Sequence, residues 1–255
     1  MVHVTKHDPG TPNWVDIGSR DLPKTVAFYS GLFGWEPNDM GEEAGHYTMF
    51  TVNGLNVAAA GPMQNDTDPA AWMSYISVAD IDASVALADA NGAKVLMPPM
   101  EVMTAGKMAV LLDAEGSAFS MWQPQEHIGA QLVNEPNTFC WSELWTRNVE
   151  GAKAFYGAVF GWGSSTDDSG EMPYTEFKLG DKTIAGGWAI PAEVPAQVPS
   201  NWLIYFAVAD CDATVEKAKS LGATIMKEAT DIPPGRFAGI TDPNGTNFAV
   251  LQFKE

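Results

Sequence analysis

The sequence contains two long phrases that each occur twice, and this duplication limits the folds open to the chain. WVDIGSRDLPKTVAFYSGLFGW begins at Trp14, and WSELWTRNVEGAKAFYGAVFGW begins at Trp141, 127 residues later. A second pair begins at Trp72 with WMSYISVADIDASVALADANGAKV and at Trp202 with WLIYFAVADCDATVEKAKSLGATI, 130 residues later. Similar segments at a nearly constant offset indicate duplicated structural units. The sequence therefore predicts two tandem domains.

Each predicted domain divides into two halves that share one pattern. A short alternating strand leads to a residue that suits a helix N-cap, such as Asp21 or Asp80, and a helix with apolar residues at three- and four-residue spacing follows. Three strand-like runs separated by turns complete each half. The predicted fold class is therefore α+β, with four βαβββ modules forming two tandem domains with curved mixed sheets. The predicted boundaries are residues 10–124 for domain 1, 125–136 for a polar linker and 137–255 for domain 2.

Composition and charge exclude several classes of function. A net charge of −18 repels phosphate backbones and anionic lipids, so we expect neither a nucleic-acid nor a membrane partner. No apolar run reaches the roughly 18 residues of a membrane span. The start MVHVTKHDPG lacks the pattern of a secretory signal, so we predict a cytoplasmic protein. Cys140 and Cys211 have no CxxC partner and are interpreted as buried free thiols.

The repeated motifs carry a resemblance to a known superfamily. AFY and FGW end the first helix of each domain, and the turns DAEG at Asp113 and DPNG at Asp242 precede the last strands. Tandem βαβββ modules with these motifs resemble the vicinal oxygen chelate superfamily, which includes glyoxalase I, extradiol dioxygenases, fosfomycin resistance proteins and bleomycin-binding proteins. The segments TPNWVD, HIGAQLVNEP and WSEL are similar to two-domain actinobacterial proteins labelled glyoxalase or hydroxylase. The resemblance covers nearly the whole chain.

The resemblance implies a divalent metal held by His or Gln from a first strand and Glu from a last strand, ligands that suit Zn, Ni, Fe or Mn. In the family pattern, the first-strand ligand lies seven residues before the helix cap and the Glu lies four residues after the turn glycine. Here these positions are occupied by Trp14, Met73, Trp141, Leu203, Ser120 and Ala249. None of these side chains is a typical ligand for such a metal. We therefore predict no metal and no cofactor.

The resemblance also places the ligand cavity on the concave face of each sheet. Strand alternation puts Trp14 with Asp16, and Trp141 with Glu143, on one face. His46 is a further candidate because it stands at the entrance to a strand, from which it can pair with Asp16. The predicted ligand-binding residues are Trp14, Trp141, His46, Met49, Met73, Tyr75, Trp122, Trp188, Trp202 and Tyr205.

Asp16 and Glu143 are the candidate catalytic residues. A carboxylate beside a buried tryptophan must be paired, protonated or exposed in a cavity, because burying it alone costs several kcal/mol. It can then act as a general base or hold the ammonium or hydroxyl group of a ligand. The alternative is structural: each carboxylate accepts hydrogen bonds from neighbouring backbone or from Arg20 and Arg147.

Three classes of function stay open at this level. The favoured class is metal-independent binding of an aromatic or hydrophobic small molecule, for sequestration, resistance or an accessory role in secondary metabolism. The first alternative is a metal-dependent glyoxalase, lyase or dioxygenase, which the ligand positions oppose. The second is a metal-free tailoring enzyme that uses Asp16 or Glu143 for acid–base chemistry. Two fused domains predict a monomer with an internal pseudo-dimer, and a homodimer is the alternative.

Overall fold

A computed structural model describes residues 3–63, 70–170 and 172–254. In this part of the chain, domain 1 contains two helices and eight strands, and domain 2 repeats them in the same order. The elements of domain 1 are β1 (Pro12–Ser19), α1 (Leu22–Phe33), β2 (Glu36–Asp39), β3 (Thr48–Val52), β4 (Leu55–Pro62), β5 (Trp72–Ser77), α2 (Ile81–Ala90), β6 (Lys94–Val102), β7 (Gly106–Leu112) and β8 (Ala118–Pro124). Those of domain 2 are β9 (Phe139–Thr146), α3 (Val149–Phe160), β10 (Gly163–Asp167), β11 (Tyr174–Leu179), β12 (Lys182–Ala189), β13 (Asn201–Ala207), α4 (Cys211–Ser220), β14 (Thr224–Ile232), β15 (Gly235–Thr241) and β16 (Asn247–Phe253).

The strands of each domain form one mixed sheet. The strand order is β2-β3-β4-β1-β5-β8-β7-β6 in domain 1 and β10-β11-β12-β9-β13-β16-β15-β14 in domain 2. Two βαβββ modules meet where β1 pairs antiparallel with β5, and β9 with β13. Within each module the first strand pairs parallel with the last, as β1 does with β4 and β5 with β8. The predicted α+β fold of four modules in two tandem domains is confirmed.

The helices begin and end at the residues that local chemistry favours. Asp21 accepts a hydrogen bond from the Lys24 backbone N–H at 3.1 Å, and Asp80 caps α2 in the same way. Gly34 ends α1 in the left-handed conformation, with φ of 72°, which costs glycine no steric penalty. The predicted caps are therefore confirmed. No helix within the described residues is both long and apolar enough to cross a membrane.

The helices of one domain pack against those of the other. One apolar core joins α1 and β1 to β13 and α4, and a second joins β5 and α2 to β9 and α3. We call the sheet face that enters these cores the helix face, and the opposite face the inner face. Because side chains alternate along a strand, Val15 and Ile17 point to the helix face while Trp14 and Asp16 point to the inner face.

The repeated AFY and FGW motifs form the contact between the domains. Tyr29 of the first AFY donates a hydrogen bond to Asp242 at 3.1 Å and accepts one from the Trp72 indole at 2.9 Å. Tyr156 of the second AFY is fully buried and donates to Asp113 of the DAEG turn at 2.8 Å. The duplication of these motifs is therefore explained by packing, because each copy completes the turn of the other domain.

The tryptophans of the two FGW motifs reach across in the same manner. The Trp35 indole N–H donates to the Asn137 carbonyl at 2.7 Å, and the Trp162 indole N–H donates to the Gly10 carbonyl at 2.7 Å. Full burial of such a side chain contributes about 1.5–3 kcal/mol. The two domains therefore stabilise one another through equivalent contacts.

Candidate functional site

The inner face of domain 1 holds a carboxylate bound by two phenols. The Tyr47 and Tyr75 hydroxyls both donate to Asp16 Oδ2, at 2.9 Å and 2.8 Å. Tyr47 in turn accepts a hydrogen bond from the Trp14 indole at 3.2 Å. The register explains the assembly: β1 and β5 are neighbours, and Trp14 is directly paired with Tyr75.

Burial changes the acidity of this group. Desolvation raises the pKa of Asp16 from 3.8 to about 6, against the opposing effect of the hydrogen bonds from Tyr75 and Tyr47. Burial and then the charge of Asp16 raise the pKa of both tyrosines well above their ordinary value. The phenols therefore stay protonated and act as permanent donors, while the carboxyl titrates near neutral pH.

Domain 2 repeats this network with one additional donor. Tyr205 and Tyr174 donate to the two oxygens of Glu143 at 2.9 Å and 3.1 Å, and Trp141 donates to the Tyr174 hydroxyl at 3.0 Å. The Trp145 indole also donates to Glu143 Oε1, at 2.8 Å. Glu143 is 6% exposed, and desolvation raises its pKa above the usual range. We call these two assemblies the carboxylate networks.

One alternative was that Arg20 and Arg147 donate hydrogen bonds to these carboxylates. For Arg147 this prediction is wrong. The Arg147 guanidinium donates instead to the carbonyl oxygens of Val194, Pro195 and Val198. Phenols replace it at Glu143: Tyr205 stands on the adjacent strand β13 and Tyr174 on β11, beyond β12, and both are directed to the same face.

Most of the predicted ligand-binding residues lie on the inner faces. Met49, Met73 and Trp122 pack with Trp14 and Tyr75 in domain 1. In domain 2, Trp141 packs with Tyr205, and Trp188 lies against Trp145 with ring centroids 4.9 Å apart. Whether any of them contacts a ligand stays a prediction.

Two of the predicted ligand-binding residues lie elsewhere, so their assignment to the concave face is wrong. Trp202 packs into the core between the domains and donates to the Tyr156 hydroxyl at 2.9 Å. It is three residues before Tyr205, and an odd separation on a strand reverses the face. His46 is exposed and bonds Asp39 at 2.9 Å instead of Asp16, because it lies in a turn before β3 with φ of 60°.

The predicted linker covers part of the inner face of domain 1. We call residues 125–133 the strap. The His127 ring packs edge-on against Trp14 at 4.5 Å, and its carbonyl accepts the Trp122 indole N–H at 2.8 Å. The Ala130 N–H donates to the Asn13 carbonyl at 2.8 Å. Burial, and then the nearby His7, lower the pKa of His127 to about 4, so the neutral ring packs on the indoles at pH 7.

The N-terminal segment, residues 3–9, lies beside the strap. The Val4 N–H donates to the Gln131 carbonyl at 2.9 Å, and His7 Nε2 bonds the Ala130 carbonyl at 2.8 Å. Two clefts flank this segment: one of about 280 Å³ reaches the ends of β5 and β8, and one of about 200 Å³ adjoins the strap. Beneath the strap, Trp14 is only 3% exposed.

The inner face of domain 2 is more open. Trp141, Trp145 and Trp188 all keep partial exposure, as do Leu203 and Phe237 around the buried Tyr205. The Trp145 and Trp188 rings are nearly perpendicular, at 83°. They form an aromatic corner above Glu143, and this corner can receive a flat apolar group.

The family's metal does not fit the residues at the expected positions. Trp14 and Trp141 occupy the first-strand positions, and both indole N–H groups are donors that bond tyrosines. Asp16 and Glu143, the nearest carboxyl groups, already accept phenol protons. No cluster of three or more His, Cys, Asp or Glu side chains exists in the described residues. These donor sets do not form the family's metal centre.

Comparison with known proteins assigns the fold to a family. The model of the Glyoxalase/Bleomycin resistance protein/Dioxygenase superfamily matches residues 11–121 and 129–250. The chain therefore belongs to this superfamily, as its motifs predicted. It is 41% identical over 259 residues to "Putative glyoxylase CFP32" of Mycobacterium tuberculosis, covering 99% of this chain and 98% of that protein. It is 36% identical over 269 residues to "Anthracycline biosynthesis protein DnrV" of Streptomyces peucetius, covering 99% and 96%.

Solved structures of low sequence identity share the fold. The 2,3-dioxygenase LapB from Pseudomonas sp. KL28 aligns with a TM-score of 0.68 at 12% identity, covering 100% of this chain and 94% of that one. The Mn(II)-bound glyoxalase from Novosphingobium aromaticivorans aligns with a TM-score of 0.65 at 18% identity, covering 99% and 85%. These likenesses show the architecture and leave the chemistry of the site to its own residues.

Sequence reasoning missed three members of the carboxylate networks. Tyr47, Tyr174 and Trp145 were not among the candidate residues, although each bonds a network member. Tyr47 and Tyr174 open the matching phrases YTMF and YTEF at the same offset as the tryptophan pair. That repeated tyrosine was the available signal, because a hydroxyl on a strand beside the carboxylate supplies the donor that the carboxylate needs.

Proposed function

We propose that the protein binds a planar aromatic small molecule on the inner face of domain 2. The observation that carries the proposal is the aromatic corner of Trp145 and Trp188, which keeps partial exposure above a buried carboxylate. A flat ring stacked on one indole meets the edge of the other, an arrangement worth about 0.5–1.5 kcal/mol for each ring pair beyond area burial. The apolar side chains of Leu203 and Phe237 extend the same surface.

The relatives support an aromatic natural product as the ligand class. The protein from Streptomyces peucetius is named for anthracycline biosynthesis, and it shares 36% identity across nearly the whole chain. A binding role in secondary metabolism, either sequestration or delivery of an intermediate, agrees with a face that offers stacking surfaces. The metal-dependent alternative receives no support from the donor sets, because indoles occupy the first-strand positions.

The experiment is a calorimetric titration of the purified protein with doxorubicinone, the amine-free aglycone of the anthracycline doxorubicin, in buffer with and without EDTA. We expect saturable binding in the micromolar range, about −8 kcal/mol, that EDTA does not change. Trp188→Ala removes one wall of the corner, so the affinity should fall about tenfold. Trp122→Leu is the matched control, because Leu251 stands at the equivalent strand position of domain 2 and the corner stays intact.

Two outcomes would overturn this assignment. If Trp122→Leu abolishes binding while Trp188→Ala does not, the ligand lies in domain 1. If EDTA abolishes binding and one equivalent of a divalent metal restores it, the protein works through a metal that the donor sets do not indicate. Loss of fold in either variant is checked by urea denaturation before the titration is interpreted.

A further inference from the structure

The two carboxylate networks differ in how many carboxyl oxygens are occupied. Glu143 uses both: Oε1 accepts from Tyr205 and Trp145, and Oε2 accepts from Tyr174. Asp16 uses one, since Tyr47 and Tyr75 both donate to Oδ2. Among the described residues, no donor bonds Asp16 Oδ1, and this atom is not one of the fully buried unpaired atoms. Asp16 therefore presents one acceptor oxygen to which no described residue donates and which is not fully buried.

One replacement on the strand removes a donor and cover from the carboxylate of domain 1. The residue two positions after Glu143 is Trp145, whose indole closes over the carboxyl. The residue two positions after Asp16 is Gly18, which supplies no donor and no cover. A Cβ built on Gly18 meets only the Met63 side chain, at 3.4 Å. The gap at Gly18 is thus a difference in side-chain volume at equivalent positions of β1 and β9.

Neighbouring small residues shift the tyrosine that accompanies each carboxylate. Gly186 is required in domain 2, because a Cβ there would overlap the Tyr174 hydroxyl. Ala59 stands at the matching position in domain 1, directly opposite Asp16, and its methyl group excludes that placement. Tyr47 lies instead against Gly61, where domain 2 has Trp188. The Tyr47 ring therefore takes the place that Trp188 holds in domain 2, and no tryptophan stands there above Asp16.

The electrostatic environment favours a cationic partner for the free oxygen. None of the ion pairs among the described residues includes Asp16. The groups that bond it are the neutral phenols of Tyr47, directly before β3, and Tyr75 on β5. The whole chain carries a net charge of −18, so its field attracts cations. The strap bonds β1 at Asn13. Among the described residues, none of its hydrogen bonds reaches Gly18 at the other end of the strand.

We propose that Asp16 and the gap at Gly18 form a second binding site, in domain 1, for an organic ammonium group. Asp16 Oδ1 accepts a charge-assisted hydrogen bond from the ammonium, while Tyr47 and Tyr75 hold the carboxylate through Oδ2. Glu143 is the closed counterpart and binds no such group. This site is separate from the aromatic corner of domain 2, so each proposal stands or fails alone.

The test compares benzylamine with benzyl alcohol by calorimetry at pH 7.5, where the amine is protonated and Asp16 is ionised. A hydrogen bond to a charged group contributes about 1.5–3 kcal/mol, so the amine should bind at least about tenfold more tightly than the alcohol. Asp16→Asn keeps an oxygen for the two phenols but removes the charge, and it should erase this preference. Glu143→Gln is the matched control and should retain it.

Two glycine and tryptophan exchanges test the origin of the difference between the domains. Gly18→Trp places an indole beside Asp16 as Trp145 stands beside Glu143, and it should abolish amine binding while the protein stays folded. Trp145→Gly uncovers Glu143 and should create a second equivalent of bound amine. The proposal is overturned if Glu143→Gln abolishes the preference, if Asp16→Asn retains it, or if wild-type protein does not distinguish the amine from the alcohol.

Either exchange alone is decisive if the other fails to fold. The doxorubicinone titration on Asp16→Asn separates the two proposals, because this ligand has no ammonium group and the aromatic corner of domain 2 is unchanged in that variant. Retained doxorubicinone binding with lost amine preference supports both sites. Lost doxorubicinone binding in the folded variant would place both ligands on one face and overturn their separation.

Discussion

The inner faces of domains 1 and 2 contain the same hydrogen-bonded network and differ in what surrounds it. In each, a tryptophan bonds a tyrosine, and two tyrosines bond a carboxylate. Domain 1 is covered by the strap and leaves one carboxyl oxygen free, whereas domain 2 exposes its aromatic side chains and closes both oxygens. The network is therefore common to both faces, and exchanges between glycine and tryptophan beside it distinguish them.

The helix faces show no such divergence. The turn aspartates Asp113 and Asp242 each accept two backbone N–H groups through Oδ1 and a tyrosine hydroxyl of the other domain through Oδ2. Both are at most 4% exposed. Packing between the domains fixes the helix faces on both sides, while the inner faces are free to differ. Equivalent substitutions should therefore have equal effects at the interface and unequal effects on the inner faces.

The largest expected effect tests the equivalence of the interface. Asp113→Ala and Asp242→Ala each leave three donors without an acceptor, two of them in buried hydrogen bonds, so each should lower the free energy of unfolding by about 3–5 kcal/mol. Urea denaturation measures both values. Asp89→Ala, on the exposed side of α2, is the control and should stay within about 0.5 kcal/mol. If the loss of unfolding free energy at one turn is less than half of the loss at the other, the two interfaces are not equivalent.

The second prediction tests the difference in cover between the inner faces. Trp14 is 3% exposed beneath His127, whereas Trp141 is partly exposed. Trp14→Ala should therefore cost about 3–5 kcal/mol, because the strap cannot collapse into the cavity, and Trp141→Ala should cost about 1–3 kcal/mol. The measurement is again urea denaturation of the two variants side by side. Equal costs would mean that the strap adds no packing to domain 1.

The sequence was sufficient to predict the fold because the fold depends on features that repeat. Duplicated phrases, alternating strands, N-cap aspartates such as Asp21 and the glycine at Gly34 are local signals with local physical causes. The pairing of Trp14 with Asp16 on one face followed from strand period alone. These signals needed no knowledge of which strands are neighbours.

The errors arose where the outcome depends on contacts between distant segments. Trp202 was assigned to the concave face although its odd spacing from Tyr205 already directed it to the other side. The linker gave no sign that His127 would pack on Trp14, because a loop's docking place depends on the shape of the surface that receives it. The same applies to Tyr47, whose position depends on whether its neighbour on β4 is alanine or glycine.

The connection between β6 and β7 shows a smaller departure from the repeat. It spans residues 103–105 in domain 1, but only 233–234 connect β14 and β15 in domain 2. The offset between the domains thus changes by one residue within the hairpin. The register of the following strands is preserved, since Tyr75 pairs with Ser120 and Tyr205 with Ala249. A turn absorbs the change without altering either inner face.

The smallest expected effect concerns pH. The pKa of Asp16 is about 6 in the folded protein against 3.8 for the free side chain, so the folded state binds the proton more tightly than the unfolded state. Protonation of Asp16 therefore adds to the free energy of unfolding below pH 4, and this added stability is lost as the pH rises through 6. Its full size is at most about 3 kcal/mol, and the partial exposure of Asp16 reduces it to about 1–2 kcal/mol.

Asp16→Asn should flatten this dependence. The free energies of unfolding of wild type and variant are measured by urea denaturation between pH 4 and 8, and their difference should change by about 1–2 kcal/mol in favour of the variant as the pH rises. Asp89→Asn, which removes an exposed charge, controls for the repulsion of a chain at −18. The stability of Glu143→Gln relative to wild type should change with pH in the same direction, because burial raises the pKa of Glu143 as well. If Glu143→Gln flattens the pH dependence of unfolding and Asp16→Asn follows wild type, Asp16 is as well solvated as a surface carboxylate. The contrast between the inner faces would then be explained by the strap alone.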